Sequence, residues 1–246
     1  MVSFLVLRIE GDPSNAERAC WLHRSCKFVL RRVGFDLCVF GEPPKAGLIA
    51  SNHLSYLDIL FYGATLPCVF VAKTEVRSWP LLGLLAALGG TVFIDRRSAA
   101  SAAEAAQRIE KLLASGVMVL VFPEGTSSDG ASVLRFYPSL FEPAIRASAP
   151  VTSAAVGYSA GPEAAEEDLC YYGDISFAPH LLGTLQPPDV VATLRFASPG
   201  RVYDDRKQAA VLARERVVEL RTADGHVPDA GFLDGTGPEQ DLGIRV

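Results

Sequence analysis

The sequence lacks the features of a nucleic-acid-binding, disulfide-bonded or membrane-spanning protein. Its 246 residues carry 23 Lys and Arg against 28 Asp and Glu, so the net charge of -5 gives no general attraction for nucleic acid. The five cysteines show no framework spacing, which fits free thiols in a reducing compartment. The longest apolar stretch, Trp79 to Ile94, is shorter than a membrane span and contains Pro80.

The first residues, MVSFLVLRIEG, have no basic start and only a short apolar run, so no signal peptide is predicted. Hydrophobic residues make up 49% of the chain, which is enough to bury a real core. Cys20, His23 and Cys26 could suggest a metal site or could be ordinary helix positions. No fourth ligand is evident, so no metal is predicted.

Short apolar runs alternate with helix-forming segments along most of the chain. Runs such as AGLIASNH, CVFVAK and VMVLVFPEG are continuous, as in strands that are buried on both faces. The pattern predicts a single α/β domain over residues 36–222, with a largely parallel or mixed central sheet flanked by helices. Residues 223–246 are rich in Gly, Asp and Pro and are expected to form a flexible tail.

Residues 1–35 are predicted to form an N-terminal segment that contains a basic amphipathic helix over residues 14–33. Ser14 or Asn15 can cap this helix, and apolar residues recur along it at helical spacing. Five basic side chains stand against one acidic side chain, Glu17. The basic face could lie on an anionic membrane surface, or it could be the solvated face of a helix packed on the core.

The stretch SNHLSYLDIL places an imidazole and a carboxylate just after a predicted buried strand. Asp58 follows His53 by five residues, which is about one and a half helical turns. Asp58 can therefore reach back to one nitrogen of the imidazole, fix its tautomer and leave the other nitrogen as a general base. The alternative is a His–Asp pair that only caps a helix.

Two further segments could contribute to the same site. In FPEGTSSDG, a strand breaks at Pro123, and a carboxylate and exposed backbone N–H groups follow in a tight turn. Such a turn suits an acceptor that carries hydroxyls or an amine, although a plain turn would look the same. Between residues 71 and 97, an apolar helix is predicted with charged residues on both sides of it: Lys73, Glu75, Arg96 and Arg97. This arrangement suits a lipid, whose head group would meet the charges, but a core helix with a charged rim would have the same pattern.

Together these segments resemble the sequence boxes of the glycerolipid acyltransferase family, typified by the lysophosphatidic acid acyltransferases. Asn52-His53 and Asp58 match the first box, NHxxxxD, which contains the HX4D motif. FPEGT matches the third box, and APVTSAAV looks like the fourth. The resemblance covers about residues 20 to 200. The second box is matched by Lys73, Glu75, Pro80, Gly83, Gly90 and the segment FIDR.

The resemblance implies an acyltransferase-like fold and an O-acyltransferase of membrane lipid biosynthesis. A fatty acyl group would pass directly from acyl-carrier protein or acyl-CoA to the hydroxyl of a lysolipid, with no other cofactor. The enzyme would be peripheral, on the cytoplasmic face of the membrane. His53 would act as the base, Asp58 would hold His53, and Lys73 or backbone N–H groups would stabilise the oxyanion. The acceptor would be bound by Glu124, Gly125, Thr126 and Arg96.

One departure from the family pattern concerns the acceptor. Many phosphate-reading members continue the third box with Arg, whereas this chain has Ser127. An Arg makes bidentate, charge-assisted contacts to a phosphate, which a Ser cannot replace. The segment looks more like the branch that includes lyso-ornithine-lipid acyltransferases, whose acceptor has no phosphate. Arg96 could still bind a phosphate, so lyso-ornithine lipid and 1-acylglycerol-3-phosphate both stay open.

A different class of enzyme is suggested by GYSAG, Gly157 to Gly161, which fits the nucleophile-elbow pattern of serine hydrolases. The segment EAAEED that follows does not predict the apolar helix that should lead away from an elbow. A third alternative is a non-catalytic lipid-binding module with the same fold. In a serine hydrolase, Ser159 would be the nucleophile, His226 the base, and the acidic partner one of Asp174, Asp189 and Asp204.

Overall fold

A seven-stranded mixed sheet forms the centre of the computed structural model, which describes residues 12–79, 82–95, 97–160, 165–185 and 190–223. The central strands Leu48–Ser51, Val119–Val121 and Val151–Ala160 are buried along nearly all of their length, as expected for continuous apolar runs, whereas the edge strand Asp36–Phe40 is mostly exposed. The strands are β1 (Asp36–Phe40), β2 (Leu48–Ser51), β3 (Val69–Lys73), β4 (Val92–Ile94), β5 (Val119–Val121), β6 (Val151–Ala160) and β7 (Val190–Phe196).

The strand order across the sheet is β1-β7-β6-β2-β5-β3-β4. Strands β2 to β6 run parallel to one another, whereas β7 is antiparallel to β6 and pairs in parallel with β1. The predicted α/β class and mixed sheet are therefore confirmed. Because β2, β5 and β3 are neighbours, the residues that follow their carboxyl ends meet at one edge of the sheet.

Helices cover both faces of the sheet. The helices are α1 (Asn15–Val33), α2 (Leu57–Thr65), α3 (Leu82–Leu88), α4 (Ala99–Ala114), α5 (Glu142–Arg146), α6 (Phe177–Thr184) and α7 (Arg206–Thr222). Helices α1 and α2 pack on the face that contains Ile49 and Phe70, and α4, α5 and α7 pack on the opposite face with Leu48 and Val69. Short 3-10 turns occupy Thr74–Ser78, Pro138–Leu140 and Glu166–Leu169.

Helix α1 confirms the predicted N-terminal helix. Ser14 caps it and forms a reciprocal capping box with Glu17, and Gly34 ends it in a left-handed conformation with φ 81°. Trp21 and Cys26 are buried, and the helix packs against α2. The basic face is exposed, as expected, with Arg24, Lys27, Arg31 and Arg32 in solvent.

The sequence gives no clear signal for helix α6, because the helix is short and contains Pro179 and Gly183. None of the helices in the described ranges is both long enough and apolar enough to cross a bilayer. The predicted tail lies outside the described residues apart from Ala223, and so do residues 1–11 of the predicted N-terminal segment.

Candidate active site

The predicted pair of His53 and Asp58 is formed, and it lies where β2 gives way to α2. The chain leaves β2 at Ser51, and Asp58 lies in the first turn of α2. The Asp58 carboxylate is fully buried, and its Oδ2 is 2.6 Å from Nδ1 of His53. Oδ2 also accepts the backbone N–H groups of Leu54 at 2.8 Å and Ser55 at 3.2 Å. Asp58 therefore caps the loop and holds the imidazole at once.

The orientation of the His53 ring is fixed on its edge and on its face. Because the Asp58 carboxylate is an acceptor, Nδ1 carries the proton and donates it, which leaves the lone pair on Nε2. The ring also stacks on Phe122, with centroids 4.0 Å apart and an interplanar angle of 12°. His53 lines a cavity, and in the neutral tautomer that Asp58 selects the ring carries its free lone pair on Nε2.

The backbone around His53 is held by long-range hydrogen bonds. The side-chain amide of Asn52 pairs with the backbone N–H and C=O of Val156, at 3.0 Å in each direction. The His53 carbonyl accepts the N–H of Ser128 at 2.9 Å, and the His53 N–H donates to Oε2 of Glu124 at 3.3 Å. These contacts tie the loop to β6 and to the turn after β5.

The cavity beside His53 has a volume of about 640 Å³, which is within the usual range of small-molecule sites. Its walls are mainly apolar and come from α1, α2, α3 and α6 and from the carboxyl edge of the sheet. Lys73, at the end of β3, lines the same cavity as His53. A mainly apolar cavity of this volume with an imidazole and a cation on its wall suits an amphiphile that carries a reactive polar group.

The turn after β5 divides its residues between the cavity and the core. Gly125, with φ 73°, and the exposed Thr126 line the cavity. Glu124 is only 3% exposed, and its two oxygens accept the backbone N–H groups of His53 and Leu134. This geometry does not support the predicted contact between Glu124 and an acceptor, because the carboxyl faces backbone N–H donors inside the protein.

Burial raises the pKa of Glu124 to about 8, and the negative charge of nearby Asp58 acts in the same direction. The two backbone N–H donors, from His53 and Leu134, oppose this rise. The raised pKa favours the protonated form of Glu124, whose carboxyl braces the His53 loop against the segment at Leu134.

Ser127, which departs from the family pattern, also lines the cavity. Its hydroxyl donates to the backbone carbonyl of Tyr171. That donor is thus already used within the protein. The other predicted acceptor residue, Arg96, lies outside the described residues, so the described part of the site brings together His53, Asp58, Lys73, Gly125 and Thr126.

Two features of the site have no counterpart in the sequence interpretation. Tyr158, on β6, donates its hydroxyl to Oδ1 of Asp58. In addition, a cluster of four mutually packed aromatic rings lines the cavity, with centroids 5.1 to 6.4 Å apart: Tyr56, Trp79, Tyr171 and Phe177. Tyr158 is 100 residues from Asp58, and the four aromatic rings come from three separate segments of the chain, so no local sequence pattern indicates these contacts.

The nucleophile-elbow interpretation of Ser159 is wrong. Ser159 lies inside strand β6 and pairs in register with Val191, whereas an elbow needs a sharp turn between a strand and a helix. Its proposed partners Asp189 and His226 lie outside the described residues.

His23, one of the three residues that could suggest a metal site, bonds through Nδ1 to the carbonyl oxygen of Gly63 at 2.7 Å.

The chain is similar to known acyltransferases in sequence and in fold. The family model described as Acyltransferase matches residues 41–157. The chain is 35% identical over 236 residues to the lyso-ornithine lipid O-acyltransferase of Rhizobium meliloti, covering 89% of this chain and 79% of that protein. It is 40% identical over 117 residues to the 1-acyl-sn-glycerol-3-phosphate acyltransferase of Neisseria gonorrhoeae, covering 48% of this chain and 46% of that protein. The crystal structure of the 1-acyl-sn-glycerophosphate acyltransferase of Thermotoga maritima has the same fold, with a TM-score of 0.60 at 19% identity over 89% of this chain and 88% of that one.

Proposed function

The chain belongs to the acyltransferase family and is an O-acyltransferase, and on that basis we propose that it transfers a fatty acyl group from an acyl thioester to the hydroxyl of a lysolipid. The observation that carries the proposal is the position of His53. Its ring is held by a buried carboxylate and lines a mainly apolar cavity of about 640 Å³. A general base at the wall of a lipid-sized space is what acylation of a lipid hydroxyl needs.

In the proposed reaction, Nε2 of His53 takes the proton of the acceptor hydroxyl as the oxygen attacks the thioester carbonyl carbon. A C–O bond forms, the C–S bond then breaks, and the thiolate leaves with the proton returned from His53. Asp58 keeps the ring in the required tautomer and stabilises the imidazolium while it carries the proton. No acyl group is attached to the protein at any stage.

The negative charge that develops on the thioester oxygen needs a donor nearby. Lys73 lines the cavity at the end of β3, and the turn at Gly125 and Thr126 lines it after β5. We assign oxyanion stabilisation to the Lys73 ammonium or to backbone N–H groups of this turn, and contact with the acceptor to Gly125 and Thr126.

For the acceptor, we favour a lysolipid without phosphate, such as lyso-ornithine lipid, over 1-acylglycerol-3-phosphate. Ser127 stands where phosphate-reading members carry Arg, and its hydroxyl is occupied by the carbonyl of Tyr171. The similarity to the Rhizobium meliloti protein extends over most of both chains, which also supports this acceptor class. The donor is proposed to be acyl-carrier protein or coenzyme A thioester.

We also propose that the enzyme docks peripherally, on the cytoplasmic face of the membrane, with the mouth of the cavity against the bilayer. Large apolar side chains are exposed on α1, where Phe28, Val29 and Val33 are 59%, 40% and 36% exposed, and on or just after α6, where Leu182 and Leu185 are 64% and 49% exposed. Val29, Val33 and Leu185 line the cavity as well, so apolar surface continues from its wall to its rim. Cations that suit anionic head groups lie alongside on α1: Arg24, Lys27, Arg31 and Arg32.

The proposed function is tested by incubating the purified protein with a labelled fatty acyl thioester, of either acyl-carrier protein or CoA, and a panel of lysolipids with and without phosphate. Mass spectrometry of the extracted lipids identifies the product. We expect acylation of a phosphate-free lysolipid, and we expect His53→Ala to lower the rate by roughly 10²- to 10⁴-fold.

His23→Ala is the matched control, because it removes a partly buried, hydrogen-bonded imidazole that does not line the cavity. It should keep the wild-type rate. Full activity of His53→Ala would overturn the mechanism, and exclusive acylation of phosphate-bearing acceptors would overturn the acceptor assignment.

A further inference from the structure

We propose that Tyr158 is a positioning residue for acyl transfer: its hydroxyl holds the buried carboxylate of Asp58, and through Asp58 it keeps the His53 ring aligned with the cavity. This inference rests on the proposed roles of His53 and Asp58. It adds a third member, contributed by β6, to a pair that otherwise comes from a single loop and the start of α2.

The two oxygens of Asp58 are held in different ways. Oδ2 accepts its hydrogen bonds from close neighbours in sequence, namely His53 Nδ1 and the N–H groups of Leu54 and Ser55. Oδ1 instead accepts a hydrogen bond from the hydroxyl of Tyr158, which is distant in sequence. The local bonds fix one oxygen, and the bond from β6 fixes rotation of the carboxylate about that oxygen.

Tyr158 must be the donor in this contact. Its side chain is buried, and burial raises the pKa of its phenol well above the ordinary value, with the charge of Asp58 and the hydrogen bond to it adding to the rise. The phenol therefore keeps its proton across the working range of pH. A neutral donor at this place stabilises a buried carboxylate without adding a charge.

The position of Tyr158 is itself well fixed. Its backbone N–H donates to Oε1 of Glu166 at 2.8 Å, and Glu166 forms a buried ion pair with Arg221 of α7, with an N–O distance of 2.7 Å. The ring packs against Phe61 of α2, with centroids 5.7 Å apart. The phenol is thus held by the sheet, by α2 and, through Glu166, by the last helix.

Loss of the hydroxyl should affect the chemical step and leave binding intact. Tyr158 does not line the cavity, so neither substrate touches it. Without the phenol O–H, Oδ1 of Asp58 becomes a buried acceptor that has lost its donor, and the carboxylate can rotate. The direction of Nε2 on His53 then varies, which lowers the fraction of time spent in the reactive geometry.

The test compares Tyr158→Phe with Tyr62→Phe. Both are buried tyrosines, but the Tyr62 hydroxyl bonds to Oγ of Ser51 at 2.7 Å, whereas the Tyr158 hydroxyl bonds to Asp58. For Tyr158→Phe we expect the single-turnover rate of acyl transfer to fall by about 10- to 100-fold, as for groups that orient metal-bound histidines. The KM for each substrate should change less than about twofold, because uniform binding is untouched.

Tyr62→Phe should lose similar thermal stability and keep the wild-type rate. Three results would overturn the inference: a wild-type single-turnover rate in Tyr158→Phe, an equal loss of rate in both variants, or a loss that appears only in KM. If Tyr158→Phe is fully active while His53→Ala is inactive, this inference fails and the proposed function stands. If His53→Ala is itself active, the proposed function fails.

Discussion

Replacing Glu124 with Gln should change how the stability of the protein depends on pH. The folded protein holds the Glu124 pKa at about 8, above its ordinary value of 4.5, because the carboxyl is buried. Between these two values the unfolded chain releases a proton that the folded protein keeps. The contribution of Glu124 to stability is therefore complete below pH 4.5 and is lost as the pH rises to about 8.

The size of this effect follows from the pKa rise. At 1.36 kcal/mol per pH unit, it amounts to at most about 5 kcal/mol between the low and high limits. Glutamine does not titrate, but its amide N–H₂ must face one of the two backbone N–H groups that Glu124 accepts, from His53 and Leu134. That mismatch costs about 1–3 kcal/mol. We expect Glu124→Gln to be less stable than the wild type at pH 5 and equally or more stable at pH 9.

Urea unfolding of both proteins at pH 5, 7 and 9, followed by tryptophan fluorescence, measures how the difference between their free energies of unfolding changes with pH. The control is Glu104→Gln, at an exposed position of α4, whose pH profile should follow the wild type. A stability difference between wild type and Glu124→Gln that stays constant with pH would refute the reasoning. An increase in the stability of the wild type relative to the variant as the pH rises would also refute it, because the backbone donors would then be stabilising the carboxylate.

Two further predictions concern the site and the membrane. Asp58→Asn should lower the acyl-transfer rate far more than it lowers the free energy of unfolding, because an amide sets the wrong tautomer of His53; equal losses would mean that Asp58 acts mainly as a cap. In flotation assays the protein should bind anionic vesicles at low salt and be released as salt shortens the Debye length from about 10 Å at 0.1 M toward about 3 Å at 1 M. Charge reversal at Lys27 and Arg31 should weaken this binding, and salt-independent binding would exclude the electrostatic part.

Features that depend on near neighbours were predictable from the sequence. The long helices α1, α4 and α7 begin at capping residues, Ser14, Ser98 and Asp205, whose side chains accept N–H groups of the first turn. The pairing of His53 with Asp58 also spans only five residues. Helical geometry sets such distances before the chain packs.

Features that join distant segments were not predictable in this way. The reversed direction of β7 and the presence of α6 on the cavity wall have no local signal. Glu124 was assigned to the acceptor, but its carboxyl turns inward to donors on His53 and Leu134. A carboxylate in a tight turn has the same sequence pattern in either orientation.

The sequence by itself determined the α/β class, the capped helices and the joining of a base to its carboxylate, because each depends on steric and hydrogen-bonding preferences over a few residues. Only the tertiary structure decided what surrounds that pair. Tyr158 is 100 residues from Asp58 along the chain, and their contact exists because β6 lies beside β2 in the sheet. The order of strands arises from packing of the whole core, which single residues and their spacing do not specify.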